Sequence, residues 1–342
     1  MGIKSIVFII SALLFTSCGV SKSEVAQDSV QDSVQDSVQE TPATEEKSQT
    51  MESDFTPPSG AGNHEGTEGP WARRLLGAYS KDGLTWTKTN KIISDQADVA
   101  DLTVDENGRL YLYYYGWTVG DRQNITAMAI SDDNGSNWIF KNMKFTGFPN
   151  RGDVSDPNVV YDKGIFQLYG STRDNGRTYI VHGESTDGIS FTYKGIAFKP
   201  DSGNAGVAAT YKVGDVWHLL SLASLGIQDN NKVEPGTIWH ATSADGESFT
   251  LDDTLTFHDG KYAYFEGNVI PFDDGYRLYV FSPTSTAIRS YFSADGKDWT
   301  LEKGYRLNLE ENSPLESGYV GDPDVVQLSD GTYFMAYSSL IE

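Results

Sequence analysis

The segment Ser80-Lys81-Asp82-Gly83-Leu84-Thr85-Trp86 decides the fold, because its pattern returns four more times along the chain. The copies are Ser131-Asp132-Asp133-Asn134-Gly135-Ser136-Asn137-Trp138, Ser185-Thr186-Asp187-Gly188-Ile189-Ser190-Phe191, Ser243-Ala244-Asp245-Gly246-Glu247-Ser248-Phe249 and Ser293-Ala294-Asp295-Gly296-Lys297-Asp298-Trp299. Their serines stand 51, 54, 58 and 50 residues apart. Ser and Asp side chains accept backbone N–H groups in a tight turn, Gly takes the left-handed conformation, and the aromatic packs between blades. A repeat of this length with strand-like flanks predicts an all-β propeller.

Between these turns runs a second repeat, a polar strand start followed by a tight turn and an alternating strand. It reads Asp101 to Val104 before Arg109 to Tyr115, Asp156 to Val160 before Ile165 to Tyr169, and Ala205 to Ala209 before Val216 to Leu220. It continues as Glu266 to Ile270 before Tyr276 to Phe281, and Asp322 to Val326 before Tyr333 to Tyr337. Turns such as Asp105-Glu106-Asn107-Gly108 are hairpin chemistry, so each blade is expected to hold four antiparallel strands. The fold opens with an outer pair, Arg73 to Thr89, and ends with an inner pair, Asp322 to Ser339. Joining them in one blade closes a five-bladed ring over residues 70–342 and hides both sheet edges.

The chain has 342 residues, 38% hydrophobic and 12% aromatic, enough for a sizeable core. A net charge of −22 repels phosphate backbones, which argues against nucleic acid and favours neutral or cationic ligands. Residues 1–18 pair Lys4 with an apolar run from Ile6 to Phe15, the pattern of a secretory signal too short to span a membrane. The one cysteine, Cys18, excludes a disulfide framework. Phe15-Thr16-Ser17-Cys18 resembles a bacterial lipobox, which implies lipidation of Cys18, and Gly19 after it implies the outer membrane. Residues 19–69 are expected to be an acidic disordered linker, with Gln-Asp-Ser-Val written three times from Gln27 to Val38.

Asp101, Asp156, Glu266 and Asp322 start inner strands and are expected around one mouth of the central funnel, with the Ser-x-Asp turns on the opposite face. Carboxylates crowded there should raise at least one pKa, as acid–base chemistry requires. The turns resemble the Asp-boxes of sialidases. The strand starts Gly321-Asp322-Pro323-Asp324-Val325-Val326, Ser155-Asp156-Pro157-Asn158-Val159-Val160 and Phe265-Glu266-Gly267-Asn268-Val269-Ile270 resemble those of five-bladed glycoside hydrolases of families 43, 32 and 68. That resemblance implies a first-blade Asp as base or nucleophile, matched by Asp101, and a Glu as acid, matched by Glu266. It also implies a tuning Asp in the blade of Asn204 to Gly206, where Ala205 stands instead. Asp156 or Asp322 would then take over, or the protein only binds glycans.

Trp117, Arg122, Arg173, Tyr264, Arg289 and Tyr319 fall on the same face as the mouth and are expected to bind sugar. Arg122, Arg177 and Arg289 recur before third strands, compatible with a sialidase-like carboxylate-binding cluster or with pairing between blades. His182 and His240 are read as packing. No cofactor or metal is expected, although some relatives of the resembled families hold a calcium ion in the axial channel. No phosphate loop or nucleophile elbow is present. The expected protein is a monomeric, lipid-anchored glycosidase or, alternatively, a non-catalytic glycan-binding propeller or a sialidase-like hydrolase.

Overall fold

The computed structural model describes residues 51–67, 69–149, 154–224, 236–283 and 285–342, with the side chains of Ser224 and Glu266 outside that description. The signal segment, Cys18, the Gln-Asp-Ser-Val repeats and the loop bearing Arg151 lie outside the described residues.

Five sheets form a ring. Their inner strands are Ala97–Val104, Ser155–Asp162, Asn204–Val213, Phe265–Phe272 and Ser317–Gln327, which define blades one to five. Each inner strand touches the next, and the fifth returns to the first. Blade five joins the two ends of the propeller: Arg73–Ser80 pairs antiparallel with Tyr333–Leu340, in register from Arg73 opposite Leu340 to Ser80 opposite Tyr333. Two blades depart from the four-strand expectation. Blade two gains a parallel strand, Lys144–Thr146, along Ser190–Phe198. The outer edge of blade four is split into Thr300–Leu301 and Leu307–Asn308.

The core lies between blades. Leu75, Phe334 and Ala336 of blade five pack on Leu102, Leu110 and Leu112 of blade one, and four further clusters fill the other junctions. In the repeated turns Asp82 Oδ1 accepts Leu84 N at 2.8 Å and Thr85 N at 2.7 Å, while Ser80 Oγ accepts Gly83 N at 2.9 Å. A tyrosine from the neighbouring blade donates to a backbone carbonyl in every turn: Tyr279 to Gly83, Tyr79 to Asn134, Tyr113 to Gly188, Tyr169 to Gly246 and Tyr211 to Gly296, at 2.7–2.9 Å. The turns therefore tie the ring together on the face away from the funnel mouth.

The linker assignment stops short of residue 69, because residues from Met51 onward pack on blade one. Phe55 is 8% exposed and sits against Phe140 and Val119. Asp54 N donates to Phe140 O at 2.8 Å, and Asp54 pairs with Lys141. Gly60 N reaches Asp95 Oδ2 at 2.6 Å, so this strap crosses from the outer edge of blade one towards the axis. A single aromatic among prolines and glycines carries no periodicity, which is why sequence patterning overlooks it.

Candidate active site

Every inner strand is broken near its start by a β-bulge: between Asp98 and Asp101, Ser155 and Asn158, Gly206 and Ala209, Glu266 and Val269, and Gly321 and Asp324. Val99, Asp156, Val207 and Asp322 inside the bulges take positive φ of 51°, 50°, 43° and 44°. This conformation is costly for residues with a Cβ, and for a β-branched valine above all. The bulges bring the strands close: a Cβ on Gly267 would lie 2.1 Å from Pro323 O. Bulges re-aim side chains, and here they separate two layers along the axis.

The lower layer is a buried polar belt. Asp101, 2% exposed, accepts Asn158 Nδ2 at 2.9 Å and Val159 N at 2.8 Å. Asn158 Oδ1 accepts Thr210 N at 3.0 Å. Asp324 Oδ1 accepts Leu102 N at 3.0 Å and Asn268 Nδ2 at 2.9 Å. Each member satisfies the backbone of an adjoining inner strand, and Ala209 fills the same place in blade three. Burial pushes the Asp101 carboxyl well up, and burial together with the Asp101 charge does the same to Asp324. Asp101 thus belongs to the ring's internal wiring, with both oxygens engaged, and is not a mouth residue.

The upper layer holds Asp98, Asp156 and Asp322. Arg73 Nη1 donates to Asp98 Oδ2 at 2.8 Å and to Asp322 Oδ2 at 3.3 Å. Asp322 Oδ2 also accepts Ser338 Oγ at 2.8 Å and the Tyr319 hydroxyl. The guanidinium lies 4.8 Å from the Tyr319 ring centroid. Burial, then repulsion from Asp322, pushes Asp98 up to about 7, although Arg73 pulls the other way. Asp98 Oδ1 is buried without a hydrogen-bond partner among the described residues. Burial also raises Asp156; Ser155 and Ser171 oppose this, and the Asp322 charge adds to it.

Asp98 faces Tyr115 and Glu266 faces Val280, each the last pair before its bulge, but Asp98 lies three residues before the belt member Asp101 and Glu266 two before the belt member Asn268, in the place of Asp156 and Asp322. The Glu266 side chain lies outside the described residues. Asp98 and Arg73 were missed by sequence reading. Setting Asn158-Val159-Val160 beneath Asp101-Leu102-Thr103, instead of matching the acids, would have placed Ser155 beneath Asp98.

Only some expected sugar contacts gather here. Tyr319 does, as the ring beneath Arg73. Trp117 packs 5.3 Å from Trp71 and 5.1 Å from His64, beside Gln96 at the top of blade one. Arg122 and Arg173 line a cavity of about 910 Å³ between blades one and two that reaches Ser155 and Ser171, the partners of Asp156. Tyr264 is a correction: it is fully buried, and its hydroxyl donates to Asp259. Arg289 pairs with that same Asp259 at 3.0 Å. Arg177 is tied to the carbonyls of Pro200 and Gly203, so the three repeated arginines serve their own blades and form no shared cluster. His182 bonds Gln167 and stacks on Tyr169, and His240 stacks on His218, all in packing roles.

The chain matches no family model and no curated protein sequence. Among solved structures it is similar to a thermostable family-43 glycoside hydrolase, 15% identical with a TM-score of 0.56 over 71% of this chain and 88% of that one. It is also similar to a candidate glycoside hydrolase from Parabacteroides distasonis (14%, TM-score 0.52, 70% and 86%). A mutant α-L-arabinanase from Cellvibrio cellulosa matches at 13% (TM-score 0.51, 70% and 85%). The likeness is one of fold.

Proposed function

We propose that this chain is an exported, lipid-anchored glycosidase of the outer membrane, acting as a monomer on oligosaccharides at the funnel mouth. The observation that carries the reading is the cluster of Asp98 and Asp322 on Arg73 in the upper layer, joined to the pKa of Asp98 near neutrality. The base role passes from Asp101 to Asp98, three residues earlier in the same strand. Asp98 has a buried oxygen with no partner among the described residues, Arg73 to fix its carboxylate, and Asp322 to raise its basicity. In the proposed reaction Asp98 takes a proton from water as the water oxygen attacks the anomeric carbon. Glu266 gives its proton to the leaving oxygen, the glycosidic bond breaks, and the configuration inverts. The fold neighbours, with their glycoside hydrolase names, support the substrate class.

The test is hydrolysis of aryl-furanosides, aryl-pyranosides and a polysaccharide panel by the mature protein, with the product anomer followed by NMR. Wild-type cleavage abolished in Glu266→Gln and Asp98→Asn supports the assignment. Blade three, which carries Gly206 and Val207 where its neighbours carry acids, favours a second reading as a glycan-binding propeller. Binding of glycan without cleavage by wild type would select it.

A further inference from the structure

The net charge of −22 conceals a local reversal. The described lining of the 910 Å³ cavity between blades one and two includes Arg122, Lys144 and Arg173 and no carboxylate, in a chain with 48 acids and 26 bases. Arg122 gives one N–H to a neutral partner, Asn142 Oδ1, at 2.7 Å. Neither Arg122 nor Lys144 forms an ion pair among the described residues, although the Asp54 carboxylate, paired with Lys141, feels the Lys144 charge, and Arg173 has an interaction of its own. Tyr115 and Phe145 add aromatic surface to the same wall. The cavity runs to Ser155, whose hydroxyl donates to Asp156 Oδ2 at 3.2 Å, so its inner end meets the upper carboxylate layer.

We propose that this cavity is an anion-selecting subsite: it takes a glycan unit bearing a carboxylate or sulfate group and presents the neighbouring bond to the mouth. The inference rests on the reading of the mouth as a glycan site and names its substrate class. Long-range repulsion from a net negative surface is screened within about 8–10 Å at physiological salt, so inside the cavity the local cations decide. Arg forks match two oxygens of an oxyanion, Lys adds a point charge, and the aromatic rings cover a sugar face.

The test is calorimetric titration of the mature protein at physiological salt with an oligogalacturonate, a sulfated galactan oligosaccharide and a neutral arabino-oligosaccharide. Either anionic ligand, or both, should bind at least about tenfold more tightly than the neutral one, a gap of roughly 1.4 kcal/mol. Which of the two binds tells carboxylate from sulfate. Arg122→Gln with Lys144→Gln should weaken that binding by about tenfold or more, and Lys163→Gln, at a distant hairpin, should not change it. Equal affinity for the neutral ligand, or a double variant within twofold of wild type, overturns the proposal. Anion binding without hydrolysis would remove the glycosidase reading and leave this one standing. Hydrolysis confined to neutral glycans would do the reverse.

Discussion

Asp98 and Glu266 are each the last paired residue before the bulge of an inner strand, but Glu266 stands one place nearer the belt, two residues before Asn268 where Asp98 is three before Asp101. Asp101, beyond the bulge, points its oxygens at Asn158 and Val159 instead. The bulge therefore divides the carboxylates into an upper layer gathered on Arg73 and a lower layer that holds the strands together.

That division predicts opposite outcomes for two similar substitutions. Asp98→Asn should lower kcat/KM by about 10²–10⁴-fold, the usual worth of a positioned base. Asp101→Asn should leave activity within a few-fold but lower Tm, because its NH2 group must face Asn158 Nδ2 or Val159 N, both donors, and leaves one of them unpaired. Steady-state kinetics and thermal melts of both variants check this, and the reverse pattern would restore Asp101 as base.

The pH dependence follows from Asp98 near 7. Activity needing the ionised carboxyl should rise as pH passes through about 7. Asp322→Asn removes a repelling anion while Arg73 stays, so the pKa of Asp98 should fall and the acid limb of kcat/KM should move to lower pH. The linked effect on stability has a definite sign. A folded-state pKa above the unfolded value near 3.9 means that the native state holds its proton longer, so this group's contribution falls between about pH 4 and 7 and is flat above. Asp98→Asn should flatten that part of the stability profile in urea titrations.

The strap from Met51 to Thr67 should count as part of the folded unit. Removing residues 1–50 is expected to leave Tm unchanged, whereas removal through residue 69 should lower it clearly. Phe55→Ala alone should cost about 3 kcal/mol, as for other buried phenylalanines. Denaturant unfolding of the three proteins measures it.

Tyr169 and Gly246 represent the five ties between blades. Tyr169→Phe keeps the ring's packing but leaves the Gly246 carbonyl unpaired, at a cost of about 1–3 kcal/mol. A double change with Tyr113→Phe, at another junction, should be close to additive because the two ties share no partner. Urea midpoints report both.

Much of this protein was determined by its sequence alone. Ser80 to Trp86 and its four copies specify turns through local side chain-to-backbone bonds, so their spacing reveals five blades, and the split ends reveal the shared closing blade. The acids at strand starts likewise point to one mouth. Only the tertiary structure decided which acids reach it. A bulge is one extra residue whose effect appears only in pairing with the next strand, and it moves Asp101 inward and Asp98 into place. Tyr264 and Arg289 look like mouth residues until Asp259 folds against them. Phe55 looks like linker until blade one covers it. The cationic cavity is hidden from composition because net charge sums over the chain, while a ligand meets only the residues that folding gathers within a few ångströms.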